Sequence, residues 1–297
     1  CTSLTTAPEL PATTLADWCY SEMFYGCTSL TTAPALPATM LAERCYSSMF
    51  YSCTSLTTAP ATLPATTLEG YCYDNMFNGC TSLTTAPALP ATTLAERCYS
   101  SMFCGCTSLT TAPALPATEL AIECYSFMFR ECTSLATAPE LPATTLAERC
   151  YSQMFYGCTS LTTAPALPAT TLESYCYNAM FQGCTALVNS PTLPATTLQD
   201  NCYRSMFYGC TSLTTAPELP ATTLASSCYR YMFQECSKLN TIYYGANVAP
   251  SSTYCNNWVN GVPSGGTFYR KVTSWSIPSR GVSTIPSGWT VATWTTE

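Results

Sequence analysis

Cys27-Thr28-Ser29-Leu30-Thr31-Thr32-Ala33-Pro34-Ala35-Leu36-Pro37-Ala38-Thr39-Met40-Leu41-Ala42-Glu43-Arg44-Cys45-Tyr46-Ser47-Ser48-Met49-Phe50-Tyr51-Ser52 is one unit of a pattern that recurs from residue 1 to residue 239. Units open at Cys1, Cys27, Cys53, Cys80, Cys106, Cys132, Cys158, Cys184, Cys210 and Cys236. The step is 26 residues except in the third unit, where Thr62 is an extra residue. A fixed period of this size marks a solenoid, in which each unit is one coil stacked on the next.

Within the unit, Leu30-Thr31-Thr32-Ala33 is partly β-branched and is stopped by Pro34, so it reads as one short strand. Pro34-Ala35-Leu36-Pro37 cannot be helical and should run extended. Leu41, Cys45, Met49 and Phe50 fall at spacings that suggest the apolar face of a short helix. Thr93 with Glu96, and Thr145 with Glu148, resemble capping boxes at its start. Gly26, Gly79, Gly105, Gly157, Gly183 and Gly209 follow the Met-Phe pair and would end it in the left-handed conformation. The expected coil is therefore strand, extended corner, short helix and tight turn. Ten coils at strand spacing would make a rod of roughly 45 Å. Thr5, Thr31, Thr57, Thr84 and Thr110 should line one face of the strands, and Thr6, Thr32, Thr58, Thr85 and Thr111 the other.

Composition narrows the function. Charged residues are 9% of the chain, the net charge is −7, and histidine is absent. Nucleic-acid binding lacks its basic stripe, and the commonest general base and metal ligand is missing. No apolar run is long enough for a membrane span. There is no Ser/His pair, phosphate loop or paired carboxylate site, so neither catalytic nor metal-binding residues are expected, and no cofactor. The chain opens inside a unit, which reads as a piece of something longer.

Nineteen of the 21 cysteines fall in two registers; Cys104 and Cys255 are the outliers. One reading pairs them across an eight-residue hop, as Cys19–Cys27, Cys45–Cys53, Cys72–Cys80, Cys98–Cys106, Cys124–Cys132, Cys150–Cys158, Cys176–Cys184, Cys202–Cys210 and Cys228–Cys236. The other makes them two buried thiol columns acting as small apolar residues. Both remain open at the level of sequence.

Variable positions are the ninth, the sixteenth to eighteenth, the twenty-first, twenty-second and twenty-fifth of each unit. Candidate contact residues among them are Trp18, Tyr25, Tyr51, Arg130, Tyr156 and Tyr208. Glu43, Glu96 and Glu148 beside Arg44, Arg97 and Arg149 read as a solvated charge row. After Leu239 the composition changes: four of the five tryptophans follow, with Gly and Pro clusters. This gives two expected parts. Residues 1–239 form nine full repeats and the start of a tenth, and residues 240–297 form a β-rich cap. Trp258 and Trp275 in its loops suit stacking on sugars, or else fill the cap's core.

Cys-x-x-Leu, followed by a strand and closing on Met-Phe-x-Gly-Cys, resembles the BspA-type bacterial leucine-rich repeats over residues 1 to about 239. The resemblance implies an α/β leucine-rich-repeat solenoid of right-handed coils, with one parallel strand and one helix per repeat. It also implies a secreted or cell-surface location and adhesion to a host or bacterial surface protein or glycan, without enzymatic activity. A fibre or filament role, including a phage tail-fibre segment, is the alternative. Gly266-Thr267-Phe268-Tyr269 and the stretch from Ile285 to Val291 resemble tails of gut bacterial surface proteins and phage fibres. End-to-end self-association would cover an open first coil.

Overall fold

The computed structural model describes residues 1–295; the last two residues of the expected cap, Thr296 and Glu297, lie outside the described residues. Coils stack in parallel with like residues above like. One column of single parallel bridges runs Thr6, Thr32, Thr58, Thr85, Thr111, Thr137, Thr163 and Asn189. A second set of bridges joins Thr14 to Met40, Thr67 to Thr93, Glu119 to Thr145 and Thr197 to Thr223. Continuous strands form toward the C-terminal end: β1 (Thr215–Leu219), β2 (Thr241–Tyr244), β3 (Thr267–Arg270) and β4 (Thr290–Thr293). They pair in parallel in the order β1-β2-β3-β4.

The expected helix is not formed. Among the described residues the one α-helix is a single turn, α1 (Ser252–Cys255), beyond the regular units. Where the helix was expected, the chain runs as linked turns with a left-handed residue at every fourth position, as at Arg44 (φ 55), Ser48 (φ 53) and Ser52 (φ 55). Alternate N–H groups reach the next coil: Arg44 donates to Gly70 O at 3.0 Å, Tyr46 to Cys72 O at 3.0 Å, Ser48 to Asp74 O at 2.8 Å, Phe50 to Met76 O at 2.9 Å and Ser52 to Asn78 O at 2.7 Å. The intervening N–H groups close turns within the coil, as Ser47 to Arg44 O at 3.1 Å and Met49 to Tyr46 O at 3.2 Å.

Two physical reasons favour this ribbon. Leu146, Cys150, Met154 and Cys158, all buried, recur at a strict step of four, whereas a helix turns every 3.6 residues, so three such steps would carry the last side chain about a third of a turn off the buried face. A helix is also about 10 Å across. Here Tyr25 and Tyr51 stack with centroids 4.8 Å apart on the turn side, and Tyr243 and Tyr269 4.7 Å apart on the strand side. Coils that close together leave no room for stacked helices. Thr93 and Thr145, expected as helix caps, belong instead to the second bridge column.

The left-handed glycines are present as expected, with φ between 65 and 75 at Gly26, Gly79, Gly105, Gly157, Gly183 and Gly209. Ser52, Glu131 and Glu235 adopt the same conformation at the same position in other coils. A non-glycine residue there costs about 1 kcal/mol, and the inter-coil hydrogen bonds offset it.

The core is a set of single-residue columns. Leu30, Leu56, Leu83, Leu109, Leu135, Leu161, Leu187 and Leu213 are fully buried. Nine tyrosines from Tyr20 to Tyr229 stack with centroids 5.7–6.2 Å apart. A phenylalanine stack from Phe24 to Phe233 runs beside them. The two threonines of each strand do not face opposite ways: Thr31 and Thr32, like Thr84 and Thr85, are both exposed. A single bridge per coil does not impose the strict alternation of a longer strand. Thr57 and Thr58 both donate to Thr31 O, at 3.0 and 3.3 Å.

The composition changes after Leu239, but the coil path continues. Thr241 pairs with Thr215 and Thr267 with Thr241, again 26 residues apart. Asn257 and Gly261 keep the left-handed step. Phe233 N–H donates to Trp258 O at 2.8 Å, as each phenylalanine does to the coil after it. Trp258 is wholly buried against Tyr229, Phe233, Tyr244 and Phe268. Gly266 is required by contact: a Cβ there would sit 2.5 Å from Asn240 O and 2.8 Å from the Trp289 ring.

Candidate functional site

All 21 cysteines are free thiols in the structure, so none of the nine hops from Cys19–Cys27 to Cys228–Cys236 is bridged in it. The two registers form separate columns. From Cys53 onward, the block-opening thiols donate to a phenylalanine carbonyl of the preceding coil, as Cys53 Sγ to Phe24 O and Cys106 Sγ to Phe77 O, both at 3.1 Å. The cysteines that act most strongly on Cys72 are Cys98 and Cys45, and on Cys80 are Cys106 and Cys53, each its own register one coil away. Burial pushes Cys45 and Cys53 up to about 11, and Cys98 and Cys184 up to about 12. These are inert, protonated core groups rather than nucleophiles. Cys255 joins the column beyond Cys228, and half-buried Cys104 lies outside both. No cluster of three or more potential metal ligands occurs among the described residues. No described helix is long and apolar enough to cross a membrane.

The outward columns carry the chemistry. At the eighteenth position, Arg44 lies over the Trp18 ring at 4.8 Å and the Tyr71 ring at 3.9 Å, and Arg97 over Tyr71 at 5.6 Å. Arg97 pairs with Glu123, which Arg149 also approaches at 3.8 Å, and Arg149 lies 4.8 Å from the Tyr175 ring. The three arginines of the charge row thus also belong to a ladder from Trp18 to Tyr175, each partner one coil from the last. Tyr71 also donates to Glu96 at 2.8 Å, which raises its pKa.

The twenty-fifth position gathers five of the predicted contact residues. Tyr25 is exposed and stacks on half-buried Tyr51. Arg130 lies 4.5 Å from the Tyr156 ring and donates to Gln153 Oε1 at 3.1 Å. Tyr208 donates to Glu235 at 3.0 Å, which raises its pKa. Trp18 is 56% exposed, the most open of the candidates. Trp258 and Trp275 do not join them. Trp258 is buried and donates its indole N–H to Thr284 O at 2.7 Å. Trp275 is half-buried under Arg270, with its N–H directed at Ala246 O. Trp258 thus lies in the core, and Trp275 packs against it while staying partly exposed.

The sequence reading missed the clefts at the proline corner. Three open between neighbouring coils, of about 490, 290 and 320 Å³. Each contains a glutamate at the ninth position: Glu9, Glu140 or Glu218. The signal was there, since only these three units carry an acid at that variable position.

Columns of this kind, with one Leu-rich edge and outward variable residues, define a leucine-rich-repeat scaffold, a class generally non-enzymatic and used for protein interaction. Three overlapping matches, over residues 19–136, 73–205 and 151–259, assign the repeats to the family described as the BspA type leucine rich repeat region. The chain belongs to that family, whose members are typically bacterial surface proteins. It is also similar to a crystal structure, at 1.19 Å resolution, of a leucine-rich repeat protein from Bacteroides ovatus ATCC 8483. That match has 18% identity over 84% of this chain and 81% of the other, with a TM-score of 0.30, too loose a superposition to bear on coil geometry. No curated protein matches the chain.

Proposed function

We propose that the protein is an extracellular, non-enzymatic recognition and adhesion scaffold of a bacterial surface, binding host protein or glycan through its outward columns. One observation carries this reading. The inward columns of Leu, Cys, Tyr, Met and Phe repeat almost unchanged, while variation concentrates at outward-facing positions such as the eighteenth and twenty-fifth. A fixed spine with a changing exposed surface suits binding by many modest contacts. Tyrosine and arginine, abundant in those columns, are the residues most often found carrying interface energy. On this reading the segment after Leu239 closes the far end of the stack with its tryptophans.

The test is binding of the purified chain to a panel of extracellular host proteins and surface glycans. A retained ligand should be lost when Tyr25, Tyr51, Tyr156 and Tyr208 are changed together to Ala. The reading is rejected if nothing on the panel is retained, or if the quadruple variant binds as well as the parent.

A further inference from the structure

We infer that the proline-corner groove is a docking surface for an extended cationic polypeptide, with its strongest subsite where Glu218 adjoins the Tyr243–Tyr269 stack. This rests on the protein being a binding scaffold, and it names a second surface and the chemistry of its partner.

The groove repeats once per coil because each unit places two prolines around one short segment. In the third of the clefts described above, Pro191 and Pro194 of one coil face Pro217 and Pro220 of the next, with Glu218 between them. Proline rings give rigid apolar walls that lose no backbone N–H to solvent. In most units the ninth residue is Ala, and the corner carries only those walls. Where it is Glu, a carboxylate stands in the cleft. Glu9, Glu140 and Glu218 are exposed, and none has a salt-bridge partner among the described residues. On the turn side, by comparison, Glu43, Glu123, Glu131 and Glu148 are each matched by an arginine, while, among the described residues, Glu69 and Glu173 are not. The groove charges are thus left uncompensated on a chain of net charge −7.

The C-terminal end adds an independent feature. Glu218 is the Cα partner of Tyr243, and Tyr243 of Tyr269. The two rings are half-buried and stacked at 4.7 Å, and Trp294 packs on Tyr243 at 5.6 Å. A carboxylate beside a stack of π-faces is the pair of features that attracts an ammonium or guanidinium group. The cluster already accepts one such group from this chain, since Lys271 Nζ lies 5.8 Å from the Trp294 ring. At strand spacing, Glu140 and Glu218, three coils apart, are roughly 14 Å from each other, and Glu9 and Glu140 roughly 24 Å. An extended peptide advances about 3.3 Å per residue, so lysines or arginines about four residues apart would meet Glu140 and Glu218, and a further one about seven residues away would meet Glu9.

Fluorescence anisotropy with fluorescein-labelled octalysine at low salt, and labelled octaglutamate as control, tests this. Octalysine should bind and octaglutamate should not. E218Q should weaken octalysine by about fivefold, more than E9Q does. The triple variant E9Q/E140Q/E218Q should lose at least about tenfold. E69Q/E119Q/E173Q removes the same charge from exposed positions outside the groove and should bind as the parent does. Thermal melting confirms that each variant is folded; all the substitutions are isosteric and exposed. Absence of octalysine binding by the parent, or equal losses in the two triple variants, would overturn the inference. Neither result touches the tyrosine-column test, so the two readings fail separately.

Discussion

The residue that most directly distinguishes this coil from a helical one is the non-glycine held in the left-handed region. Ser101 has φ 53 and donates its N–H to Ser126 O at 2.8 Å. Glycine adopts that conformation without the Cβ penalty. Ser101→Gly should therefore raise stability by up to about 1 kcal/mol in thermal or denaturant unfolding, whereas in a helix it would lower it by about 0.5 kcal/mol. A second residue-level expectation concerns the tyrosine stack. The hydroxyls of Tyr46, Tyr73, Tyr99, Tyr125 and Tyr177 are buried without a hydrogen-bond partner among the described residues. Tyr99→Phe keeps the stacked ring and removes an unsatisfied polar atom, so it should stabilise the chain by about 1 kcal/mol. A loss of stability would show that the hydroxyl is satisfied.

At the scale of the element, the thiol columns set both reactivity and pH response. Alkylation under native conditions should modify exposed Cys1 and Cys19 quickly and half-buried Cys104 slowly, leaving the other eighteen thiols untouched until the chain unfolds. Peptide mapping after iodoacetamide reads this out, and bridged pairs in that map would restore the eight-residue pairing. Thiols raised by burial hold their protons in the folded state after the unfolded chain has lost them. Their contribution is full below the ordinary thiol range near pH 8.5. It is lost as pH climbs toward the folded values of about 11 for Cys45 and Cys53 and about 12 for Cys98, Cys150 and Cys184. Each such group removes about 1.4 kcal/mol per pH unit across that window, so melting temperature should be flat from pH 6 to 8 and fall steeply above about pH 9.

The coil element also shows what was legible in the sequence. The unit boundaries, the buried Leu30 and Leu56 columns and the left-handed Gly79 all follow from residue type and period. The error lay in reading Leu41, Cys45 and Met49 as helical. A step of four and a step of 3.6 differ little over two turns, and local propensity cannot register the neighbouring coil 4.8 Å away that supplies the hydrogen bonds. The same blindness hid the ladder from Trp18 to Tyr175. Each member looks like drift along the chain, and the complementarity appears only when residues 26 apart are set side by side. For Trp258 the sequence left two readings open, because a tryptophan in a Gly/Pro-rich tail fits a loop as well as a core. Its burial depends on Phe233 and Tyr229 ending their stacks against it.

For the whole molecule, parallel bridges on the strand side and inter-coil N–H to O=C bonds on the turn side tie each coil to the next along its length. Far-UV circular dichroism tests this architecture most directly, because a turn ribbon and a ring of helices bury the same side chains but differ in backbone. The account predicts a spectrum without the paired minima of an α-helix. A strong helical signature, matching about a third of each 26-residue coil, would contradict it.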